Sequence, residues 1–268
     1  MHKMLRVAVD KMIKKLINKA AKIYKGKSYE IDQSIPVMAL LGYSIRRLRS
    51  LLRCLLRGIK FSLDPRELVF VGPSVDLRYK RGIRFGCGVV LARGVSINGL
   101  AEQGVTLGDR VSIGAYSIIE SSAVITKIGV GCHIGNDSGI GDFSFVGASG
   151  GVWIGSNVIM GQRVSFHSEN HCFDRTDVPI RMQGVTRQGI RIEDDCWVGA
   201  NVIFLDGAHV GKGCVVAAGA VVRGVIPSYS VVAGMPAKVV KTRQGLASKD
   251  ESVNSGGQSS VSREGSEL

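Results

Sequence analysis

The chain has 268 residues, enough for one long domain and an appendage, and it combines 35 glycines with only 6% aromatic residues. Almost all of its net charge of +13 lies in the first 60 residues, which hold 15 Lys/Arg and 3 Asp/Glu. The remaining residues hold 20 Lys/Arg and 19 Asp/Glu. The remainder therefore offers no basic stripe for phosphates to follow, which argues against a nucleic-acid-binding role.

The first 60 residues are predicted to form two basic amphipathic helices. Residues 3–25 alternate apolar residues with lysines at helical spacing, and Gly26 is the predicted end. After a break near Pro36, a second helix carries Leu41, Ile45, Leu48, Leu52, Leu55 and Ile59 against Arg46, Arg47, Arg49, Arg53 and Arg57. Two interpretations stay open: the apolar faces pack on each other or on a neighbouring subunit, or residues 1–60 attach to an anionic membrane surface.

From Val71 onward the sequence is organised in sixes. The register is clearest in one set of aliphatic and aromatic residues, namely Ile192, Val198, Phe204, Val210, Val216 and Val222. No single hexad buries enough surface to be stable alone, so the repeats must stack into a solenoid of about seven turns between Val71 and Pro227. Two slips in the register, between Ile119 and Ile128 and across Gly150-Gly151, predict a bulge or an enlarged corner.

The repeat is abandoned between Phe166 and Ile192, in a polar stretch that holds two of the five histidines. A long loop inside a regular solenoid is usually functional or disordered, and Pro179 with the aliphatic residues around it favours an ordered one. The predicted plan is a helical segment 1–60, a solenoid 61–243 with an external loop 167–191, and a polar Ser/Gly-rich tail 244–268 that we expect to be disordered.

Six cysteines occur without any CxxC pair, and Cys196 and Cys214 occupy the small-residue position of their hexads. We interpret them as buried apolar side chains in a protein from a reducing compartment. The lysine-rich start has no cleavage site after an apolar run, and the run from Ile35 to Ile45 is too short to span a bilayer. The sequence therefore predicts a cytoplasmic location, with the inner face of the cell membrane as the surface that residues 1–60 could contact.

Three features resemble the hexapeptide-repeat acyltransferases: the sustained hexads, the stretch Asn170-His171-Cys172-Phe173-Asp174, and the closing segment VVAGMPAKVVK. The match covers about two-thirds of the chain, from Val71 to Arg243. The block GASGGVWIGSNVIMGQRVSFHSENH is similar to the branch that O-acetylates sugars of bacterial capsules and O-antigens. The resemblance implies a mainly β fold, a left-handed parallel β-helix preceded by a basic α-helical segment, and the handedness comes from the resemblance alone.

In that family three subunits pack side by side, acetyl-CoA lies in the groove between two of them, and the loop of one covers its neighbour's groove. His171 matches the catalytic histidine, and an imidazole is a suitable general base near neutral pH. Asn170, Asp174 and Glu169 are candidates to orient it, with Asp174 equally able to cap the next turn. The resemblance also makes His167 and Glu169 candidates to contact the acceptor, although His167 could serve only to fix the loop.

The family's contacts to CoA correspond to small residues at corners, one aromatic residue and late basic residues. In this sequence they are Trp197, Gly199, Ala200, Ala218, Gly219, Lys238 and Lys241. Lysines late in the chain suit the phosphates of CoA. One departure is the pair Arg223-Gly224 where many members have Thr-Lys, so Arg223 either replaces that lysine or the contact is lost.

The hypothesis from the sequence is an acetyl-CoA-dependent O-acetyltransferase that modifies a sugar hydroxyl of a surface-polysaccharide precursor, with no metal. An N-acetyltransferase of an amino sugar or a small molecule would use the same base and groove, and a non-catalytic trimeric scaffold is the alternative from another class. Trimeric zinc-dependent carbonic anhydrases share the fold. A zinc site of His133, His167 and His171 is disfavoured because the closer pair is separated by four residues rather than that family's five.

Overall fold

The structure, a computed structural model, describes residues 2–25, 30–59, 68–121 and 127–243, with the side chains of the first helix from Val9 to Lys22. Two helices come first, α1 (His2–Lys25) and α2 (Val37–Leu56). Three predictions fall outside the described residues in whole or in part: the helix end at Gly26, the slip between Ile119 and Ile128, and the tail 244–268.

After the helices, short strands follow one another in threes through the described residues. The first four turns contain β1 (Phe70–Val71), β2 (Asp76–Arg78), β3 (Ile83–Phe85), β4 (Val90–Leu91), β5 (Ser96–Asn98), β6 (Val105–Leu107), β7 (Ser112–Ile113), β8 (Ile118–Glu120), β9 (Cys132–Ile134), β10 (Gly139–Ile140), β11 (Phe145–Gly147) and β12 (Val152–Ile154). The rest are β13 (Ile159–Met160), β14 (Ser165–His167), β15 (Asn170–His171), β16 (Val185–Thr186), β17 (Ile190–Ile192), β18 (Trp197–Val198), β19 (Ile203–Leu205), β20 (His209–Val210), β21 (Val215–Val216), β22 (Val221–Val222), β23 (Val225–Ile226), β24 (Ser230–Ala233) and β25 (Lys238–Thr242).

Apart from the hairpin strands β15 and β16 and the last strand β25, every third strand joins the same sheet, so three sheets wrap around one axis as a parallel β-helix. The first sheet runs β1-β4-β7-β10-β13-β18-β21-β24, the second β2-β5-β8-β11-β14-β19-β22, and the third β3-β6-β9-β12-β17-β20-β23. Seven turns from Phe70 to Ile226 confirm the number predicted from the hexads. The antiparallel strand β25 pairs with β24 and closes the end of the first sheet.

The interior of the solenoid is one column of aliphatic side chains, because the large residue of each hexad points inward. Phe166 and Phe204 stack inside it with ring centroids 4.9 Å apart. Corners allow the next turn to approach closely: a Cβ on Gly199 would lie 2.5 Å from the nitrogen of Ala218, so only glycine fits. The slip at Gly150-Gly151 is an enlarged corner between β11 and β12, as predicted.

Helix α2 packs on the start of the solenoid, where its buried Cys54 joins the core. Ile59, which the sequence pattern assigned to the helix, lies beyond its end, and that assignment was wrong. Gly58 adopts φ +62°, a left-handed conformation that ends helices, and Ile59 then turns back so that its N–H donates to the carbonyl of Cys54 at 3.3 Å. Among the described residues, no helix is both long and apolar enough to cross a membrane.

Candidate active site

The chain leaves the solenoid after β14 and returns at β17, and the excursion is ordered, as predicted. Its two arms form an antiparallel hairpin in which Asn170 lies opposite Thr186 and His171 opposite Val185. The N–H of Cys172 extends the pairing by donating to the carbonyl of Gly184 at 3.0 Å. The hairpin therefore holds His171 on a strand, where its backbone direction is fixed, rather than on an irregular loop.

The departing arm of the excursion is anchored by two residues. Glu169 accepts a hydrogen bond from Arg187 at 2.6 Å, and this ion pair is largely shielded, with 28% and 14% of the two side chains exposed. Arg187 also donates to the carbonyl of Ile128 at 3.1 Å, which joins the base of the hairpin to the solenoid. The buried hydroxyl of Ser168 donates to the carbonyl of Gly147 at 2.8 Å. Glu169 is thus occupied in holding the loop.

The returning arm is fixed by a carboxylate from the next turn. Asp206, only 9% exposed, accepts hydrogen bonds from the N–H of Gln188 at 2.9 Å and of Gly189 at 2.8 Å. Charged acceptors strengthen such bonds and set the direction in which the chain re-enters the third sheet. Sequence reasoning missed both Asp206 and Arg187, since no local pattern distinguishes a corner carboxylate or a loop arginine that reaches across the fold.

The tip of the excursion is tied by one amide side chain. Gln183 accepts a hydrogen bond from the N–H of Arg175 at 3.0 Å and donates to the carbonyls of Arg175 and Val178, both at 2.7 Å. Arg175 in turn forms an ion pair with Asp177, which lowers the pKa of that carboxyl. Because these contacts lie within the tip, it can keep its shape while it projects from the solenoid.

His171 is exposed and faces an open cavity of about 580 Å³. The cavity is lined by Asn170, His171, Cys172, Phe173, Asp174 and Thr186. All three residues predicted to be catalytic are therefore gathered at one site. The exposed ring of Phe173 adds an apolar wall beside an imidazole that can reach a bound molecule, which suits proton transfer to or from an acceptor.

The other histidines lie on different surfaces. His167 ends β14 on the outer face of the second sheet, with its ring 5.8 Å from that of Phe145, so it borders the root of the hairpin. His133 and His209 lie on the third sheet, as surface residues, and His209 contacts Glu193 at 3.0 Å and lowers the pKa of that carboxyl. In the described part of the chain, no group of three or more His, Cys, Asp or Glu could hold a metal ion.

Two of the predicted CoA contacts lie in one row across the first sheet. Register pairs Trp197 with Val215, Val215 with Val231, and Val231 with Lys241. Trp197 is 59% exposed and Lys241 is exposed as well. The row therefore offers a flat aromatic surface at one end, two small aliphatic side chains, and a cation at the other end, on the outside of the solenoid.

The small-residue contacts lie beside this row, at the corner that leads from the first sheet to the second. Gly199 packs against Ala218, and the N–H of Gly219 donates to the carbonyl of Ala200 at 2.9 Å. Lys238 is exposed on β25, opposite Ala233. Arg223 lies apart from this group, exposed at the corner that leads from the second sheet to the third.

One chain does not bring the whole set together. The hairpin with His171 leaves from the corner between the second and third sheets, whereas Trp197 and Lys241 lie on the face of the first sheet. In a triangular solenoid that corner is opposite the first sheet. The imidazole and the row that begins with Trp197 therefore lie on different sides of one chain, and Arg223 lies on the hairpin's side.

Residues 189–224 match the family described as "Bacterial transferase hexapeptide (six repeats)". This segment of the chain therefore consists of hexapeptide repeats. The predicted fold class, a left-handed parallel β-helix preceded by basic helices, is confirmed. The matched hexapeptide repeats run from the return of the excursion to the pair Arg223-Gly224, so they include Trp197, the Ala218-Gly219 corner and Asp206.

Two proteins that are similar to longer parts of the chain are named as acetyltransferases. "Probable acetyltransferase Rv3034c" of Mycobacterium tuberculosis is 34% identical over 182 residues, 64% of this chain and 59% of that protein. "Putative lipopolysaccharide biosynthesis O-acetyl transferase WbbJ" of Escherichia coli is 33% identical over 109 residues, 38% of this chain and 56% of that protein. The chain thus spans less than two-thirds of either relative. The solved structure of AntD, an N-acyltransferase from Bacillus cereus, has a TM-score of 0.45 at 16% identity and covers 66% of this chain and 81% of its own.

Proposed function

We propose that this hexapeptide-repeat protein is an acetyl-CoA-dependent O-acetyltransferase that acetylates a sugar hydroxyl of a bacterial surface-polysaccharide precursor. The observation that carries the proposal is the placement of His171 on an anchored hairpin, at an open cavity with Asn170 and Asp174. The similarity to proteins named as acetyltransferases, one of them as an O-acetyl transferase of lipopolysaccharide biosynthesis, supports the same reaction class.

His171 acts as the general base in this proposal. Its imidazole accepts the proton of the sugar hydroxyl while the hydroxyl oxygen forms a bond to the thioester carbon of acetyl-CoA. The tetrahedral intermediate then breaks its C–S bond, and the imidazolium returns the proton to the departing CoA sulfur. Asp174 and Asn170, which line the same cavity, orient the ring, and Phe173 limits the access of water.

The CoA chain lies along the row from Trp197 to Lys241 in this proposal. The exposed indole packs against the cofactor, the small residues at the Gly199 and Ala218-Gly219 corners let its backbone approach, and Lys238 and Lys241 pair with its phosphates. Arg223, at the corner between the second and third sheets, binds the end of CoA nearest the acceptor or an acidic group of the acceptor in this proposal.

A homotrimer completes this site. Because His171 and the row from Trp197 to Lys241 lie on different sides of one chain, a second copy must supply one of them. Three copies packed side by side would bring the hairpin of each against the first sheet of its neighbour. His167, at the root of the hairpin, then borders the acceptor, while Glu169 holds the loop through Arg187.

The acceptor is a lipid-linked glycan in this proposal, and residues 1–60 bring the protein to the inner face of the cell membrane. The support is the arrangement of the two helices, whose basic residues and exposed apolar residues suit a peripheral contact with anionic lipid. The exposure of Met12, Leu16, Leu48 and Leu52 shows that the helices do not bury these apolar faces against each other within one chain.

A thiol-release assay tests the proposal. Acetyl-CoA is supplied with lipid-linked glycans, free glycans and amino sugars, and His171→Ala is compared with the wild type and with His133→Ala, a surface histidine of the third sheet. We expect His171→Ala to lower turnover at least about 100-fold with CoA binding retained, because a general base is worth that much, and His133→Ala to match the wild type. Equal turnover in all three proteins would remove His171 from the reaction, and turnover with amino sugars alone would replace the O-acetyltransferase by an N-acetyltransferase.

A further inference from the structure

Five arginines surround one open groove between α2 and the first two turns of the solenoid. The groove has a volume of about 680 Å³. Its lining includes Arg46, Arg47, Arg49, Arg53 and Arg93, and none of the described residues that line it is acidic. Five like charges at one opening produce a strong positive potential, which only an anion can relieve.

Contacts with the fold hold part of this cluster in place. The guanidinium of Arg47 lies 4.6 Å from the ring centroid of Phe70 and donates a hydrogen bond of 2.7 Å to the hydroxyl of Tyr43. Arg53 donates to the carbonyl of Val71 at 3.4 Å. The partners of both arginines are rings, a hydroxyl and a carbonyl, so within the described part of the chain no carboxylate neutralises their positive charge. Guanidinium groups fixed in this way match the geometry of phosphate oxygens.

The opposite side of α2 is apolar and exposed. Leu48, Leu52 and Leu55 are 68%, 54% and 50% exposed, and their spacing continues the line that begins with Leu41 and Ile45. A helix with an exposed apolar line beside a basic face is typical of a segment that lies in a membrane surface. Arg49 follows Ile45 by four residues and precedes Leu52 by three, so the basic and apolar faces meet at this side chain.

We propose that the groove binds the phosphate group of an anionic membrane lipid, while the apolar line from Leu41 to Leu55 contacts the adjoining acyl chains. This inference rests on the proposed membrane contact of residues 1–60, and the residues that make the contact are those of the groove and of the apolar line. Arg46, Arg49 and Arg93 are the exposed members of the cluster, so they reach the lipid first. Arg47 and Arg53 are half-buried and form the floor of the groove.

The test uses the full chain and sedimentation with vesicles of equal parts phosphatidylglycerol and phosphatidylcholine, or of phosphatidylcholine alone. We expect binding only to the first. The triple variant Arg46→Gln, Arg49→Gln, Arg93→Gln should bind on the order of 100-fold more weakly, since each basic residue near an anionic surface contributes substantially. The control Lys11→Gln, Lys15→Gln, Lys19→Gln removes the same charge from α1 and should weaken binding less than about 10-fold.

Each outcome decides between the groove and simpler explanations. Equal losses in the two triple variants, with circular dichroism showing both folded, would mean general electrostatic attraction and would overturn the groove while the membrane contact stands. A wild type that binds neither vesicle would overturn both. Inorganic pyrophosphate that binds the wild type in calorimetry, without any vesicle binding, would indicate a soluble phosphate compound and overturn the lipid assignment. Because no step uses acetyl-CoA, failure here is separate from failure of the acetyl-transfer proposal.

Discussion

Single residues carry the proposed chemistry, and they differ in how far the sequence could locate them. His171 was predicted from its match to the catalytic histidine of the hexapeptide-repeat acyltransferases, and the structure gives it an exposed place beside Asn170 and Asp174. Glu169 was predicted to contact the acceptor or orient the imidazole, but its carboxylate pairs with Arg187. The sequence identified Glu169 as a functional candidate, but its ion-pair partner Arg187 lies 18 residues away and is known only from the structure.

The cysteines give a prediction at this scale. Cys132 and Cys196 are buried, and burial raises the pKa of the first thiol to about 12 and of the second to about 11. Cys172 is half-exposed at the cavity of His171. Since only thiolates alkylate readily, iodoacetamide at about pH 8 should label Cys172 in the folded protein and Cys132 and Cys196 only after denaturation. Mass spectrometry of tryptic peptides measures this, and rapid native labelling of Cys132 would contradict the burial of that strand.

At the scale of elements, the hexads predicted the strands because each strand is set by a local rule, a large residue that points inward every six positions. The same rule located the excursion as its interruption. What it could not supply are contacts between distant segments, such as Arg187 with Ile128 or Asp206 with Gly189. The error at Ile59 has a similar origin: helical spacing continued through Gly58, whose left-handed backbone conformation ends the helix.

The return of the hairpin should depend on Asp206. Replacing Asp206 with Ala leaves the N–H groups of Gln188 and Gly189 without their acceptor, and a loss of about 1–3 kcal/mol in local stability follows. Hydrogen exchange of the amides of residues 185–190 should accelerate, and turnover should fall because His171 is no longer held in register. Asp206→Asn keeps one acceptor oxygen, so the same amides should exchange more slowly in this variant than in Asp206→Ala. Exchange in Asp206→Ala as slow as in the wild type would show that the hairpin is held by Glu169 and Arg187 alone.

At the scale of the whole molecule, the triangular cross-section separates functions by side. The first sheet carries Trp197 and Lys241, and the opposite corner carries the hairpin of His171. At one end, α2 packs on the first strand and α1 packs on α2. This separation follows from which strand each residue occupies, so it was fixed once the hexad register was known. The proposed trimer follows from this separation, because it brings the hairpin of one copy against the first sheet of its neighbour. The proposed membrane contact likewise uses a separate surface, the exposed faces of the two helices.

The trimer predicts complementation between two inactive variants. His171→Ala lacks the base, and Trp197→Ala with Lys241→Ala lacks the CoA row, so each homotrimer should be inactive. When both chains are co-expressed with different tags and purified through both, some interfaces combine an intact hairpin from one copy with an intact row from its neighbour, and activity should return to roughly a third of the wild-type level or less. Refolded mixtures of the two separately purified variants serve as a second route. Mixed particles that contain both chains yet stay as inactive as either parent would mean that His171 and the row from Trp197 to Lys241 serve the same chain, and the shared site between copies would have to be abandoned.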